Sequence, residues 1–516
     1  MPISAVVEKL FGWSDYFVEW TSNAAGISFT CTVLVWASVV DSRNGARKAA
    51  LGACAFLVLC AGLRVVSASG AALQQLQIVS QVCNGLAGAP IALVPPVLSA
   101  AWFPQEERTT ATGVMVTMNV GGGPSRAPQA APALTLRPPR PPTPHPAALA
   151  QYLGQAVGFF LGPSVVPFRS SPSDPARRSA CSANSDCSGG DGTQMCAADK
   201  HCETVCTLLP SPECDAMRSD LDTLFWAQGV AAIACLLLTA AYFPSAPPSP
   251  PSRTAALHAR RDGSVAGAAG TAGAAGAAGA AGGAAAHDDF VAGIRQLLRH
   301  RRFWVLLLAF ALPLGILSGW FAALGENLKS LGFDQANAGY IGAASILGGV
   351  VGGIAVPVLA DWLAVRHGTP PPLKELIVYM YAGASVAFGC FALQCAEVLL
   401  PRTLGWIYVS AVVGGACLNG TIPLFYELCV ETTFPIGEGS TEAFLVLLQN
   451  LVQTIFLAVP PSALGGTAWM NWSLALATPF FLVMLLPFKP QYLRYAIDHA
   501  HASHAPTAAA AAVAPS

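Results

Sequence analysis

Eleven apolar stretches of about twenty residues follow one another along this chain, and they restrict its fold class before any motif is read. They cover about 18–40, 49–68, 78–101, 109–119 continued by 152–167, 223–243, 303–324, 337–360, 376–399, 404–425, 440–460 and 467–487. Each approaches the ~20 residues a helix needs to cross the hydrocarbon core. Only 11% of the residues are charged, against about 25% in a soluble domain. Backbone in lipid must satisfy its own hydrogen bonds, so an all-α polytopic membrane protein is predicted. Many spans contain Gly, Pro, Asn or Gln, which suits helices packed around a pathway. A net charge of −1 implies no nucleic-acid partner. Residues 1–17 hold Glu8, Lys9 and Asp15 and no apolar run, so no signal peptide is read there.

Basic loops orient the spans. Asp41 to Lys48, Arg260-Arg261, Arg295 to Arg302, Arg366 to Lys374 and Lys489 to Arg494 are rich in Arg and Lys. The positive-inside rule places them, and the C-terminus, in the cytosol. An odd number of spans then leaves the N-terminus outside with no signal to deliver it. The expectation is that a first helix is missing and that the full plan has twelve.

Several segments stand apart from the spans. Pro124 to Ala150 is rich in Pro, Ala and Arg and interrupts a helical run, which proline cannot continue. Residues 120–151 read as a retained intron: Val120 fits a GTN donor codon and Gln151 a CAG acceptor. A genuine cytosolic insertion is the rival reading. The loop 168–222 holds Cys181, Cys187, Cys196, Cys202, Cys206 and Cys214. An even cluster in a non-cytosolic loop predicts up to three disulfides. Zinc is the weaker rival, because no Cys-x-x-Cys pair occurs. Residues 244–289 are Pro-rich and then Ala/Gly-rich, a flexible cytosolic linker. The expected domains are 1–243, carrying helices two to six, the linker, 290–490 carrying helices seven to twelve, and a tail 491–516.

Asn419 to Gly439 sits at a span boundary and carries Glu427, Glu431 and Glu438. Carboxylates near membrane depth are costly and usually functional. Glu438 is expected in water on a short loop. Glu427 and Glu431 are four apart and share a face if helical. As neighbours they could carry a proton; as gate residues they would cap helices or pair with cytosolic Arg and Lys. Glu442 reads as an N-terminal helix carboxylate. Glu326, at the end of a span, is an alternative proton site. No span contains histidine, which excludes a histidine relay. No nucleotide-binding loop, Ser-His-Asp arrangement or metal-ligand cluster stands out, so neither an enzyme, a cofactor nor a metal is expected.

Six plus six helices around a long middle loop is the plan of the major facilitator superfamily. Asp41, Gly45 and Arg47 resemble that superfamily's cytosolic gating motif, and Asp361 with Arg366 its looser second copy. Asn84 to Pro90, Ala101 to Thr112 and Tyr152 to Pro167 resemble solute carrier family 49. Ala311 to Trp320, Ala338 to Gly349 and Asn419 to Gly439 resemble its lysosomal branch most. The likeness covers about 5–119, 152–167, 223–243 and 290–490. It implies a carrier of small organic metabolites, and for that branch proton-driven export of solutes such as pyridoxine. The receptor-related branch, linked to choline, ethanolamine and haem, is the alternative; a non-transporting receptor or scaffold, or a defective gene product, are others.

A carrier needs polar groups near mid-membrane. Asn84, Asn119, Tyr152, Trp320, Asn450 and Gln453 are the candidates. Asn119 and Tyr152 become neighbours once the insert is removed. By the resemblance, Tyr152 replaces a pocket glutamine of the receptor-related branch and Gln453 matches a pocket position. Tyr152 offers a π face. Trp320 reads first as an interfacial anchor and second as a pocket wall. Asn471-Trp-Ser473 is a glycosylation sequon by pattern. The sequence thus predicts a monomeric secondary transporter in a lysosomal or vacuolar membrane, the plasma membrane second, moving a small solute and protons.

Overall fold

The computed structural model describes residues 4–13, 15–42, 44–66, 70–121, 194–196, 202–204, 206, 212–244, 247, 250–252, 254–256, 290–330, 335–459 and 466–499. Within them the chain is helical: α1 (Ser4–Phe11), α2 (Asp15–Val40), α3 (Gly45–Val65), α4 (Gly70–Trp102), α5 (Arg108–Gly121), α6 (Pro212–Tyr242), α7 (Arg301–Ala322), α8 (Leu324–Ser330), α9 (Gln335–His367), α10 (Leu373–Cys395), α11 (Leu404–Gly420), α12 (Ile422–Thr433), α13 (Glu438–Ala458), α14 (Ala468–Leu485) and α15 (Leu493–His499). The only strands among the described residues form one hairpin, β1 (Gln194–Cys196) against antiparallel β2 (Cys202–Thr204). Among the described residues, ten helical stretches are long and apolar enough to cross a membrane, one of them running through α11 and α12. The expected span at 109–119 appears as α5. Its continuation at 152–167, the insert from residue 122 on, Tyr152, Cys181, Cys187 and linker residues 257–289 lie outside the described residues, as do the side chains of Asn119, Cys196, Cys202 and Glu326.

Proline placement sets several element boundaries. Pro423 lacks the N–H that would continue the ladder from α11, and proline near a helix start is preorganised for it. The span therefore breaks at Thr421, whose hydroxyl donates to Leu418 O at 2.7 Å, and restarts as α12. Helix α12 ends before Pro435, because the residue preceding proline disfavours α geometry. Only 434–437 separate it from α13. The apolar span expected to close at residue 425 thus runs as helix through residue 433, carrying Glu427 and Glu431 with it. Pro90, Pro95 and Pro96 stay inside α4. Ser99 Oγ donates to Pro96 O at 3.1 Å there.

Two compact units divide the described chain, and the division runs through helices. The first comprises 1–32, 51–89 and 118–243. In it α1 lies on α6 around Leu10, Cys206, Cys214, Met217, Leu221 and Leu224. A disulfide joins Cys206 to Cys214, and β1 sets Cys196 opposite Cys202 in register. Arg64 ties α3 to α4 and α6 by donating to Ser80 Oγ at 2.9 Å and Gln228 Oε1 at 3.2 Å.

The second unit comprises 33–50, 90–117 and 244–516. It holds α7 to α15 together with the end of α2, the start of α3, the end of α4 and the start of α5. Its core is aromatic: Phe310 and Tyr381 each pack against Phe425, and Trp320 against Phe388 and Phe391. Edge-to-face rings add stabilisation beyond area burial, about 0.5–1.5 kcal/mol per pair. Trp320 is wholly buried, and its indole N–H donates to Asn471 Oδ1 at 2.8 Å. It is neither the interfacial anchor nor an open cavity wall that its place in the sequence implied. Asn471 also accepts from Asn327 Nδ2 at 2.5 Å. Its side chain is thus engaged in the core, not displayed as the sequon pattern implied.

Candidate functional site

One cluster of polar and charged groups of the second unit lies among the basic segments around Asp41 and Arg494. Two latches and one ion-pair cluster build the site. In the first latch, Asp41 follows the last turn of α2 and faces the start of α13. Its Oδ1 accepts the Gly439 N–H at 2.9 Å and its Oδ2 the Ser440 N–H at 2.8 Å. The Ser440 hydroxyl donates to Oδ2 as well. The first N–H groups of any helix lack intrahelical acceptors, and a carboxylate there also meets the positive end of the helix dipole. Gly437, the N-cap of α13, supplies no side chain for this; Asp41 caps the helix from another element.

Glycine makes that approach possible. A Cβ on Gly439 would lie 2.7 Å from Asp41 Oδ1, and one on Gly437 2.5 Å from Oδ2. Gly45 has a parallel reason at the start of α3: a Cβ there would stand 2.0 Å from Val40 O. The Asp41–Gly45–Arg47 signal is thus a tight corner plus a cap. Dense surroundings desolvate the Asp41 carboxyl and raise its pKa to about 6, with Glu438 adding to the rise and the bonds from Ser440 and Gly439 opposing it. The residue keeps exposed surface, so water screens part of this effect.

Asp361, near the end of α9, forms the second latch. Its Oδ2 accepts the Thr110 N–H in the first turn of α5 at 2.7 Å. Helices α5 and α9 approach closely enough that a Cβ on Gly113 would lie 2.6 Å from Pro357 Cγ. Arg366, one turn later, sits over the Trp362 ring at 4.9 Å.

The ion-pair cluster centres on Arg494, fully buried on α15. It donates from Nη2 to Glu427 Oε2 at 2.5 Å and from Nε to Glu431 Oε1 at 3.2 Å. Its Nη1 lies 3.7 Å from Glu438 Oε1. Glu431 Oε2 accepts the Tyr495 N–H at 3.0 Å. Glu427 Oε1 accepts from Thr112 and Ser99 hydroxyls at 2.8 and 3.2 Å. Burial opposes the charge of Arg494, but Glu427, Glu431 and Glu438 outweigh it and hold its pKa above the ordinary arginine value. Beside it Arg108 is also buried; burial and then the charge of Arg494 lower its pKa. Arg108 Nη2 donates to Ser252 Oγ at 3.0 Å, and its Nη1 lies 3.7 Å from Asp498 Oδ2. Asp498 accepts the N–H and hydroxyl of Thr254 at 2.8 and 3.0 Å.

The structure thus joins Asp41, Asp361, Glu427 and Glu431 in one unit. Glu438 was expected in water; it is buried instead, because α13 starts directly behind Pro435 and turns its first residue toward Arg494. Arg494, Arg108, Ser99, Thr112, Asp498 and Ser440 are site residues that sequence reading passed over. Arg494 carried only the orientation signal of a basic terminal loop. Among the proposed solute groups, Asn84 is exposed on α4, and Asn450 and Gln453 are half-buried on α13. Asn450 Nδ2 donates to Val446 O of its own helix at 2.8 Å.

No protein-family model matches the chain. A Xenopus laevis protein named solute carrier family 49 member 4 homolog is 28% identical over 471 residues, covering 91% of this chain and 81% of the relative. The choline/ethanolamine transporter FLVCR1 of Felis catus is 22% identical, over 88% of this chain and 62% of the relative. The Escherichia coli fucose:proton symporter FucP superposes with a TM-score of 0.58 at 11% identity, covering 94% and 93% of the two chains. The proton:xylose symporter XylE gives 0.57 at 12% identity, covering 96% and 94%. The chain is a multi-pass membrane protein of the major facilitator fold. Its sequence is similar to proteins of solute carrier family 49, member 4 homologs among them.

Proposed function

We propose that this transporter is proton-coupled, carries small organic metabolites with pyridoxine-type solutes as first candidates, and works in a lysosomal or vacuolar membrane. The observation that carries the gating part is the pair of latches: Asp41 caps α13 and Asp361 caps α5. Each acid follows or ends a long span and holds the first turn of a helix elsewhere in the chain. Such caps break and reform as units, which suits rocking-type alternating access. The positive-inside rule makes this end cytosolic. In this reading Arg494 and its three glutamates close the cytosolic end and exclude water. Opening requires rehydrating several buried charges, so the closed state is held by discrete contacts that a solute must offset. Asn84, Asn119, Tyr152, Asn450 and Gln453 supply the solute path, while Trp320 supports it from the core. Glu326 remains a candidate proton carrier. Glu427 and Glu431 are better suited to the gate, since both are already paired with Arg494. The carrier acts as a monomer.

The name of the feline relative favours a second reading, a choline or ethanolamine carrier. Reconstituted vesicles separate the two. Uptake of radiolabelled pyridoxine and of choline is measured with and without an imposed pH gradient. Pyridoxine accumulation that rises with the gradient supports the first reading. Choline uptake indifferent to the gradient supports the second. Uptake of neither leaves a receptor or scaffold in a carrier fold.

A further inference from the structure

Glu442 lies one turn into α13 and is 1% exposed. Neither of its carboxyl oxygens has a hydrogen-bond partner. Every other carboxylate of the cluster is held: Asp41 by the α13 amides, Asp361 by Thr110, Glu427 and Glu431 by Arg494, and Glu438 beside Arg494. Among the described residues, the titratable groups that bear on Glu442 are acidic or neutral. From α12 come Glu427, Tyr426 and Cys429, and from the end of α2 comes Asp41. Helix α7, packed along α13, buries only apolar residues, glycine and proline. The nearby guanidinium, Arg494 of α15, is already engaged by three glutamates.

An ionised carboxylate without donors in such a place costs several kcal/mol, and buried acids escape that cost by taking up a proton. A neutral acid needs no counter-ion and leaves Arg494 to its three partners. We infer that Glu442 is a proton-binding site operated by the gate: it holds a proton while the Asp41 and Asp361 latches are closed and releases it when they part and water enters. This deepens the proton-coupled reading above and rests on it for its role in transport. The proton moves from bulk water to a Glu442 oxygen and back, so no other reactant is required.

The site is tested without any solute. Infrared difference spectra of the purified full-length protein at neutral pH should contain the carbonyl stretch of a neutral carboxylic acid, shifted by deuterium exchange. Glu442→Gln should remove a component of that band that Asp41→Asn and Asp361→Asn leave in place, while Glu427→Gln should leave that component. If Glu442→Gln does not fold, Glu442→Asp should move the band instead. The gate coupling is read with Gly113→Val, which wedges α5 from α9 without changing charge, and with Gly439→Val at the other latch. Both should weaken the band at neutral pH. Absence of the band, or a band undiminished in Glu442→Gln, overturns the site. A band that ignores both wedges overturns the coupling to the gate. Loss of gradient-driven pyridoxine uptake, with the band and its wedge response intact, defeats only the transport reading.

Discussion

Arg494 and Glu427 lie 2.5 Å apart with their side chains 2% and 4% exposed, and they join a short terminal helix to a membrane span 67 residues earlier. A buried pair of this kind contributes little relative to an apolar replacement of both partners, yet removing one partner strands the other charge. Arg494→Met should therefore destabilise the protein by about 3–5 kcal/mol. Glu427→Gln and Glu431→Gln introduced together with Arg494→Met should recover much of the loss. Thermal unfolding of the purified protein measures both; equal midpoints for wild type and Arg494→Met would contradict the cluster.

Asp41 gives a pH signature. Its folded value of about 6 stands above its ordinary value of 3.8, so the folded chain binds an extra proton between the two. Stability from this source is fully present below the lower value and disappears as pH rises through about 6. The stability of wild type relative to Asp41→Asn should fall across that window, with an amplitude reduced by solvent screening. A pH series of unfolding midpoints for the two proteins checks it. A difference that does not change with pH contradicts the enclosure of Asp41.

The glycines of the latch allow a steric test. A methyl group on Gly439 would stand 2.7 Å from Asp41 Oδ1. Overpacking of this kind costs about 1–3 kcal/mol, so Gly439→Ala should lower the unfolding midpoint. Asp41→Ser removes the clashing oxygen and should lessen the cost of Gly439→Ala, leaving the 3.0 Å approach of Val40 Cγ1. Additive effects of the two substitutions in a double-mutant cycle would show that they do not touch.

Much of the architecture was legible in the sequence because bilayer thickness fixes span length. The boundary near 425 was misplaced for a local reason. Glu427 and Glu431 lower the hydropathy of the segment, but Pro423 restarts a helix there instead of ending one. Asp41 stood out as a candidate through its Gly and Arg neighbours, although the partner it caps, 399 positions away at Ser440, leaves no local trace. Arg494 was invisible for the same reason. A lone arginine after the last span reads as a topology signal until the fold shows three carboxylates around it. Trp320 was misread because an aromatic near a span end normally marks the interface. Here the chain turns into α8 instead, and Asn327 and Asn471 close over it.

Asn471 provides a test of that last arrangement. Its side-chain oxygen accepts from Trp320 at 2.8 Å and from Asn327 at 2.5 Å, and its amide donates to Asn327 Oδ1 at 3.2 Å. Asn471→Ala strands two buried donors, at a cost of about 1–3 kcal/mol for each unsatisfied group. Asn471→Asp keeps an acceptor for both donors but loses the donation to Asn327, and should be tolerated better. The sequon supplies an independent readout. A glycan on Asn471 would require its amide to leave this network, so protein from a secretory-competent host should show no mobility shift on endoglycosidase treatment. A shift that disappears in Ser473→Ala would mean that Asn471 is displayed to solvent and that the Trp320 core forms without it.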